Sequence, residues 1–185
     1  MVRILAISGS LRAASSNTIL LNTAAALAPE NVEVIVYRGL ADIPPFNPDI
    51  DNGPGPPAVA DFRVQLRKSS GVVISSPEYA HGVPGVLKNA LDCLVRSGEL
   101  YEKPVALLNT SPRATFAQES LTATLQVMTA RLVAEASLTL PLLSKNLDES
   151  VVVADPDMAR AIRAAPVAFT RAIDLDDSNR DGRRS

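Results

Sequence analysis

Apolar residues in this chain fall into short, almost unbroken runs, separated by stretches in which they return every three or four positions. Five runs read as strands: VRILAIS (2–8), VEVIVYR (32–38), GVVISS (71–76), PVALLNT (104–110) and LVAEASLTL (132–140). The first, third and fourth are apolar at odd and even positions alike, as parallel strands covered on both faces must be. The intervening segments carry a helical period. Residues 18–28 set Leu20, Ala24 and Leu27 on one stripe, and 57–69 opens with PPAVADF and closes on a basic turn. The segment 84–96 starts at Pro84, a residue suited to a helix's first turn, and 117–131 and 157–174 complete the alternation. Strand, helix, strand, helix predicts right-handed crossovers and a doubly wound parallel α/β sheet. For five strands in a chain of this length the expected architecture is flavodoxin-like, with strand order 2-1-3-4-5.

Two stretches lack either period. DIPPFNPDIDNGPGPP (42–57) is long and rich in proline and glycine. Loops of this kind inside compact domains are usually functional or disordered. Asp49 and Asp51 on it read as solvated carboxylates. The end, DLDDSNRDGRRS (174–185), is dense in charge and reads as a solvated, disordered tail, leaving residues 1–174 as a single domain.

Composition narrows the function classes. The 185 residues suffice for one sizeable core, and the net charge of −2 provides no field to gather nucleic acid or an anionic membrane. No apolar run approaches a bilayer's thickness, and MVRILAIS is too short before its first polar turn for a secretory signal. A single cysteine, Cys93, precludes an internal disulfide and fits a cytoplasmic location; with only one histidine, His81, a protein-built metal site is not expected. Cys93 lies mid-helix and reads as a buried, inert thiol.

The chemistry concentrates at two turns. In the order 2-1-3-4-5 strand direction reverses between the first and third strands, and ligands collect outside the carboxyl ends at that point. After the first strand comes GSLRAASSN (9–17), which leads into a helix. A helix N-terminus offers unpaired N–H groups and partial positive charge. Ser10, Ser15, Ser16 and Asn17 add donors, and Arg12 a charge-assisted one, a set suited to a phosphate monoester. The same residues would equally serve as an ordinary N-cap. Neither G-x-G-x-x-G nor the P-loop pattern is present, so a bound pyrophosphate or triphosphate fits poorly. After the third strand, SSPEYAHGVPGVLKNALD (75–92) bends a stiff loop around Pro77, Glu78, Tyr79, Ala80, His81 and Gly82. Tyr79 offers a flat face, and backbone N–H groups of 79–82 can address the edge of a ring that becomes anionic on reduction. Phosphate at the first turn and a planar ring at the second describe flavin mononucleotide.

The three segments GSLRAASSN, LADIPPFNPDID and GVVISSPEYAHGVPGVLKNALD, in this order and spacing over residues 2 to about 110, resemble the NADPH-dependent FMN reductases, the family of the quinone and chromate reductases. The resemblance implies a flavodoxin-like fold, bound FMN, transient NADPH or NADH as hydride donor, a small acceptor (quinone, free flavin or metal oxyanion), and homodimers or homotetramers. Carried over, Ser10, Arg12, Ser15 and Asn17 hold the phosphate, Pro77, Glu78 and Tyr79 line the isoalloxazine, and Ser111 approaches its other edge. Phe46 would cover a neighbouring subunit's flavin, and Arg113 would meet nicotinamide-nucleotide phosphates. Two departures stand out: Ala80 replaces the Asn of P-E-Y-N, and NTSPRATFAQES (109–120) replaces a glycine-rich third loop. His81 reads as a proton donor to a reduced acceptor or as a turn residue. Glu78 reads as a ring contact or as the partner of a helix N-terminus or of Lys88. Two other functions are open to the same residues, an electron carrier without NAD(P)H turnover and a flavin-free relative.

Overall fold

The computed structural model describes residues 1–51, 53–142 and 148–182, with side chains to residue 174. Among the described residues the strands β1 (Val2–Ser8), β2 (Val32–Val36), β3 (Gly71–Ser75), β4 (Pro104–Asn109), β5 (Arg131–Leu132) and β6 (Leu138–Thr139) form one sheet. Its order is β2-β1-β3-β4-β5, with β6 also on β4, and every pairing is parallel. The helices are α1 (Ser16–Ala26), α2 (Pro57–Lys68), α3 (Gly85–Asp92), α4 (Thr115–Val127), α5 (Glu149–Ala154) and α6 (Pro156–Gly182). The order expected from the apolar runs is the order found.

The two-residue side-chain period of a strand sorts the core into two layers. Leu5 and Ile7 of β1, Val72 and Ile74 of β3, and Val105 and Leu107 of β4 face Val59, Phe62 and Leu66 of α2, Leu87 and Leu91 of α3, and Leu121 and Leu125 of α4. The alternate positions Ile4, Ala6, Ala106 and Leu108 face Leu20, Leu21 and Ala24 of α1 and Ile162 and Phe169 of α6. Both sets are buried. Continuous apolarity in β1, β3 and β4 is therefore a consequence of cover on both faces. None of the described helices is long and apolar enough to cross a membrane.

The fifth run is not one strand. A 3₁₀ turn, Ala134–Ala136, interrupts it between β5 and β6. Ala134 and Glu135 are exposed there, while Ser137 Oγ donates to the Val133 carbonyl and accepts from the Leu107 N–H. At a sheet edge, such an insertion interrupts the ladder without exposing the core. The last helix expected from the sequence, 157–174, lies within α6, and a short helix that the sequence reading does not include, α5, precedes it and ends at Asp155 before Pro156. The α6 backbone continues past residue 174 to Gly182, into the stretch set apart in the sequence as a tail.

The proline-rich loop 42–57 is held at both ends. Asn89 of α3 accepts from the Phe46 N–H (2.7 Å) and donates to the Pro44 carbonyl (2.9 Å). Asp51 corrects the solvated reading: it is buried and paired with Arg63 of α2 at 2.6 Å, and Arg63 also donates to the Cys93 carbonyl at 2.6 Å. A carboxylate next to an inward-facing guanidinium is stabilised by that charge, and Pro/Gly composition alone does not report it. Asp49 is exposed. Cys93 is buried, and desolvation pushes its thiol pKa up against the opposing pull of Arg63.

Candidate functional site

The carboxyl ends of β1, β3 and β4 meet where the strand order reverses, and each ends in polar residues: Ser8, Ser75, and Asn109 followed by Thr110. Ser8 and Ser75 stand opposite each other in register. The Gly9 N–H donates to the Ser75 carbonyl at 2.8 Å, drawing the first loop onto the second. A Cβ on Gly9 would lie 2.7 Å from Ser76 Oγ and 3.1 Å from Leu87. The one glycine of the first turn is thus required by close approach of two loops, and not by a phosphate-wrapping turn.

The helix α1 begins without a cap. Ser15, at the N-cap position, makes no side-chain capping bond, and the first turn holds no acidic residue. The first intrahelical bond is from Ile19 N–H to the Ser15 carbonyl, so the amides of Ser16, Asn17 and Thr18 are the orphan donors of a helix start. Around them Ser10, Ser15 and Asn17 are buried. Asn17 Oδ1 accepts from Ser75 Oγ at 2.9 Å and from Thr110 Oγ1 at 3.4 Å. With Oδ1 facing the two hydroxyls, the amide NH₂ has no hydrogen-bond partner among the described residues. Ser10 Oγ accepts from the Arg12 N–H (3.3 Å), which leaves the hydroxyl proton available. Arg12 itself is exposed and joins no ion pair among the described residues. Ser16 differs from its neighbours: its hydroxyl donates to the Leu142 carbonyl at 3.3 Å.

The second loop turns back on itself. Tyr79 and Gly82 exchange backbone hydrogen bonds of 3.1 and 3.0 Å, with Ala80 and His81 between them at φ 49° and 59°. Two successive left-handed residues inside such a pair make a type I′ turn. Pro77 and Glu78 are half-buried, while Tyr79, Ala80 and His81 are exposed. The His81 ring packs against Phe116 with centroids 4.4 Å apart. Glu78 Oε2 accepts from the Ala117 N–H of α4 at 2.9 Å, and Lys88 instead pairs with Asp92. In the third loop Ser111 Oγ accepts from the Arg113 N–H, the Ser111 N–H is held by Asn109 Oδ1, and Arg113 and Phe116 point outward.

The turns after β1 and β3, and Ser111 after β4, therefore lie along one edge of the sheet, whereas Phe46 sits on the separate loop clamped to α3. Four residues outside the sequence reading complete the first pocket. Ser75 and Thr110 orient Asn17, and Ser8 Oγ shares a 2.8 Å hydrogen bond with Thr18 Oγ1 that ties β1 to α1. For Ser8, Ser75 and Thr110 the signal in the sequence is a hydroxyl residue at or beside the end of the first, third and fourth apolar runs.

Against known proteins, residues 2–164 match the model of the NADPH-dependent FMN reductases. The chain belongs to this family. It is 38% identical over 113 residues to the quinone reductase of Escherichia coli (strain K12), and 38% identical over 114 residues to an NADPH:quinone oxidoreductase of Arabidopsis thaliana. The alignment to the bacterial relative takes in 60% of each protein, so it spans less than two thirds of that relative's length. A flavoenzyme NAD(P)H:(acceptor) oxidoreductase from Paracoccus denitrificans has the same fold, with a TM-score of 0.75 at 23% identity over 95% of this chain and 98% of that one.

Proposed function

We propose that this FMN reductase family member binds FMN across the ends of β1, β3 and β4 and passes electrons from NADPH or NADH to a small acceptor such as a quinone, a free flavin or a metal oxyanion. The observation that carries the reading is the start of α1: an uncapped N-terminus, with no acid in its first turn and the Asn17 amide oriented by two hydroxyls. That is a set of donors without an acceptor among the described residues, which suits a dianionic phosphate ester. Of the other helices that start on this edge, α4 already receives the Glu78 carboxylate, and α3 opens on Gly85, Val86 and Leu87, with no polar side chain in its first turn. The start of α1 therefore differs from both, and the phosphate is assigned to it.

In this assignment the free amides of α1, the hydroxyls of Ser10 and Ser15, the Asn17 amide and the Arg12 guanidinium hold the phosphate. Ser16 contributes its backbone N–H, since its hydroxyl proton is already committed to Leu142. Pro77 and the 79–82 turn flank the ring, and Ser111 lies toward its other edge. FMN supplies the hydride and electron chemistry when bound, so no side-chain acid or base is needed for it. The protein's part is to place the ring and leave one face open. The exposed rings of Tyr79, His81 and Phe116 border that face, and Arg113 stands beside it as a cation for the donor's phosphates. The homodimer or homotetramer implied by the resemblance is part of the same proposal.

FMN and riboflavin differ only in the phosphate, and titrating both separates the pocket from the ring wall. Arg12→Ala should weaken FMN by about 10- to 100-fold, the worth of one charge-assisted hydrogen bond, and leave riboflavin unchanged. Asn17→Ala should weaken FMN as well. Wild-type FMN affinity in both variants would remove the assignment of the pocket.

A further inference from the structure

The type I′ turn at 79–82 is strained as well as exposed. Ala80 and His81 both occupy the left-handed region, at φ 49° and 59°. Side-chain-bearing residues persist there only where their surroundings over-determine them. The surroundings in this case are the first turn of α4. Glu78 Oε2 reaches the Ala117 N–H at 2.9 Å, and the His81 ring rests on Phe116. This helix has no cap of its own: its N-cap residue is Ala114, with no side-chain hydrogen bond and no acid in the turn that follows. A carboxylate at a helix start satisfies an orphan amide and complements the helix dipole. Glu78 thus supplies, from the loop after β3, the cap that the sequence of α4 lacks.

We infer that Glu78 is a positioning residue, whose capping of α4 locks the strained 79–82 turn and the third loop into one rigid wall. The mechanical part stands on the contacts alone. The functional part rests on the proposed flavin reading, in which this wall sets the ring while Arg12 and α1 set the phosphate. A carboxylate oxygen bonded to a backbone amide is oriented toward the protein, so its influence on a ligand passes through the turn it holds. The two ends of the ligand are then governed by separate devices, on opposite sides of the switch point.

The test compares wild type, Glu78→Ala and Glu78→Gln by amide hydrogen exchange without flavin, then by titration with FMN and with riboflavin. Glu78→Ala should accelerate exchange at Tyr79, Gly82 and Ala117 by at least about tenfold and leave the amides of β1 and β4 unchanged, a local opening and not a global one. Glu78→Gln, which keeps an acceptor oxygen, should recover most of the protection. FMN and riboflavin should weaken by the same factor in Glu78→Ala, in contrast to Arg12→Ala, which touches FMN alone. Should Glu78→Ala fail to fold, Glu78→Asp, shorter by one methylene, carries the same comparison. Unchanged exchange at Tyr79 and Gly82 overturns the coupling, and a loss confined to FMN overturns the role in placing the ring. If the wild-type protein bound neither flavin, the proposed function would fall while the exchange data still decided the coupling.

Discussion

At the scale of single residues, Ala80 is a position where sequence and backbone disagree. The family resemblance expects Asn there, and Asn is one of the few side chains that tolerates the left-handed region by bonding locally. Read from sequence, the change looks like a lost amide. The structure adds that an alanine is held at φ 49°. A left-handed L-residue costs about 1–2 kcal/mol, and glycine in exchange costs about 0.5–1 kcal/mol of extra chain entropy. Ala80→Gly should therefore stabilise the protein by about 0.5–1 kcal/mol, visible as a higher urea midpoint at constant slope. A lower midpoint would mean that Ala80 makes contacts outweighing its strain. Gly9 shows the opposite legibility. Its place in a turn was plain from sequence, but its reason, a Cβ that would lie 2.7 Å from Ser76 Oγ, requires the two loops to be in place first.

Among elements, the apolar runs of β1, β3 and β4 were legible because burial on both faces leaves no polar position to confuse the pattern. The fifth run was not, because an edge strand needs only intermittent cover and a charged Glu135 could be admitted at its 3₁₀ turn. The loop 42–57 was misread for a related reason. Its lack of periodicity suggested a loosely held segment, yet Asp51 and Arg63 pair at 2.6 Å with side chains only 7% and 5% exposed, and Arg63 also reaches the Pro54 and Cys93 carbonyls. Partners that far apart in sequence leave no local signature. Removing one member strands the other charge in a buried place. Asp51→Ala or Arg63→Met alone should cost about 3–5 kcal/mol, and the double replacement clearly less than the sum. Chemical denaturation of the three variants gives the coupling, and strict additivity would show that the two charges do not depend on each other.

For the whole molecule, the polar edge of the sheet poses a problem that a ligand would solve. The core is apolar on both faces, yet at the carboxyl ends the first-turn amides of α1 and the Asn17 NH₂ have no acceptor among the described residues. The flavodoxin-like order could be read from sequence because it follows from alternation and length. The pocket could be read only in part, since Ser75 and Thr110 matter through their bonds to Asn17 and lie far from it along the chain. A folded state that concentrates unpaired donors gains stability from an anion that the unfolded chain does not bind. At a concentration of FMN one hundred times its dissociation constant, the gain is about 2.7 kcal/mol. For a chain of this size that corresponds to a rise in melting temperature of about 5–10 °C. Riboflavin at the same concentration should raise it less, and Arg12→Ala should shrink the difference between the two ligands while leaving the melting temperature of the free protein within a degree or so of wild type, as expected of an exposed side chain without an ion pair among the described residues. Equal shifts with both ligands would place the binding energy in the ring alone, and the donors at the start of α1 would then need another anion to account for them.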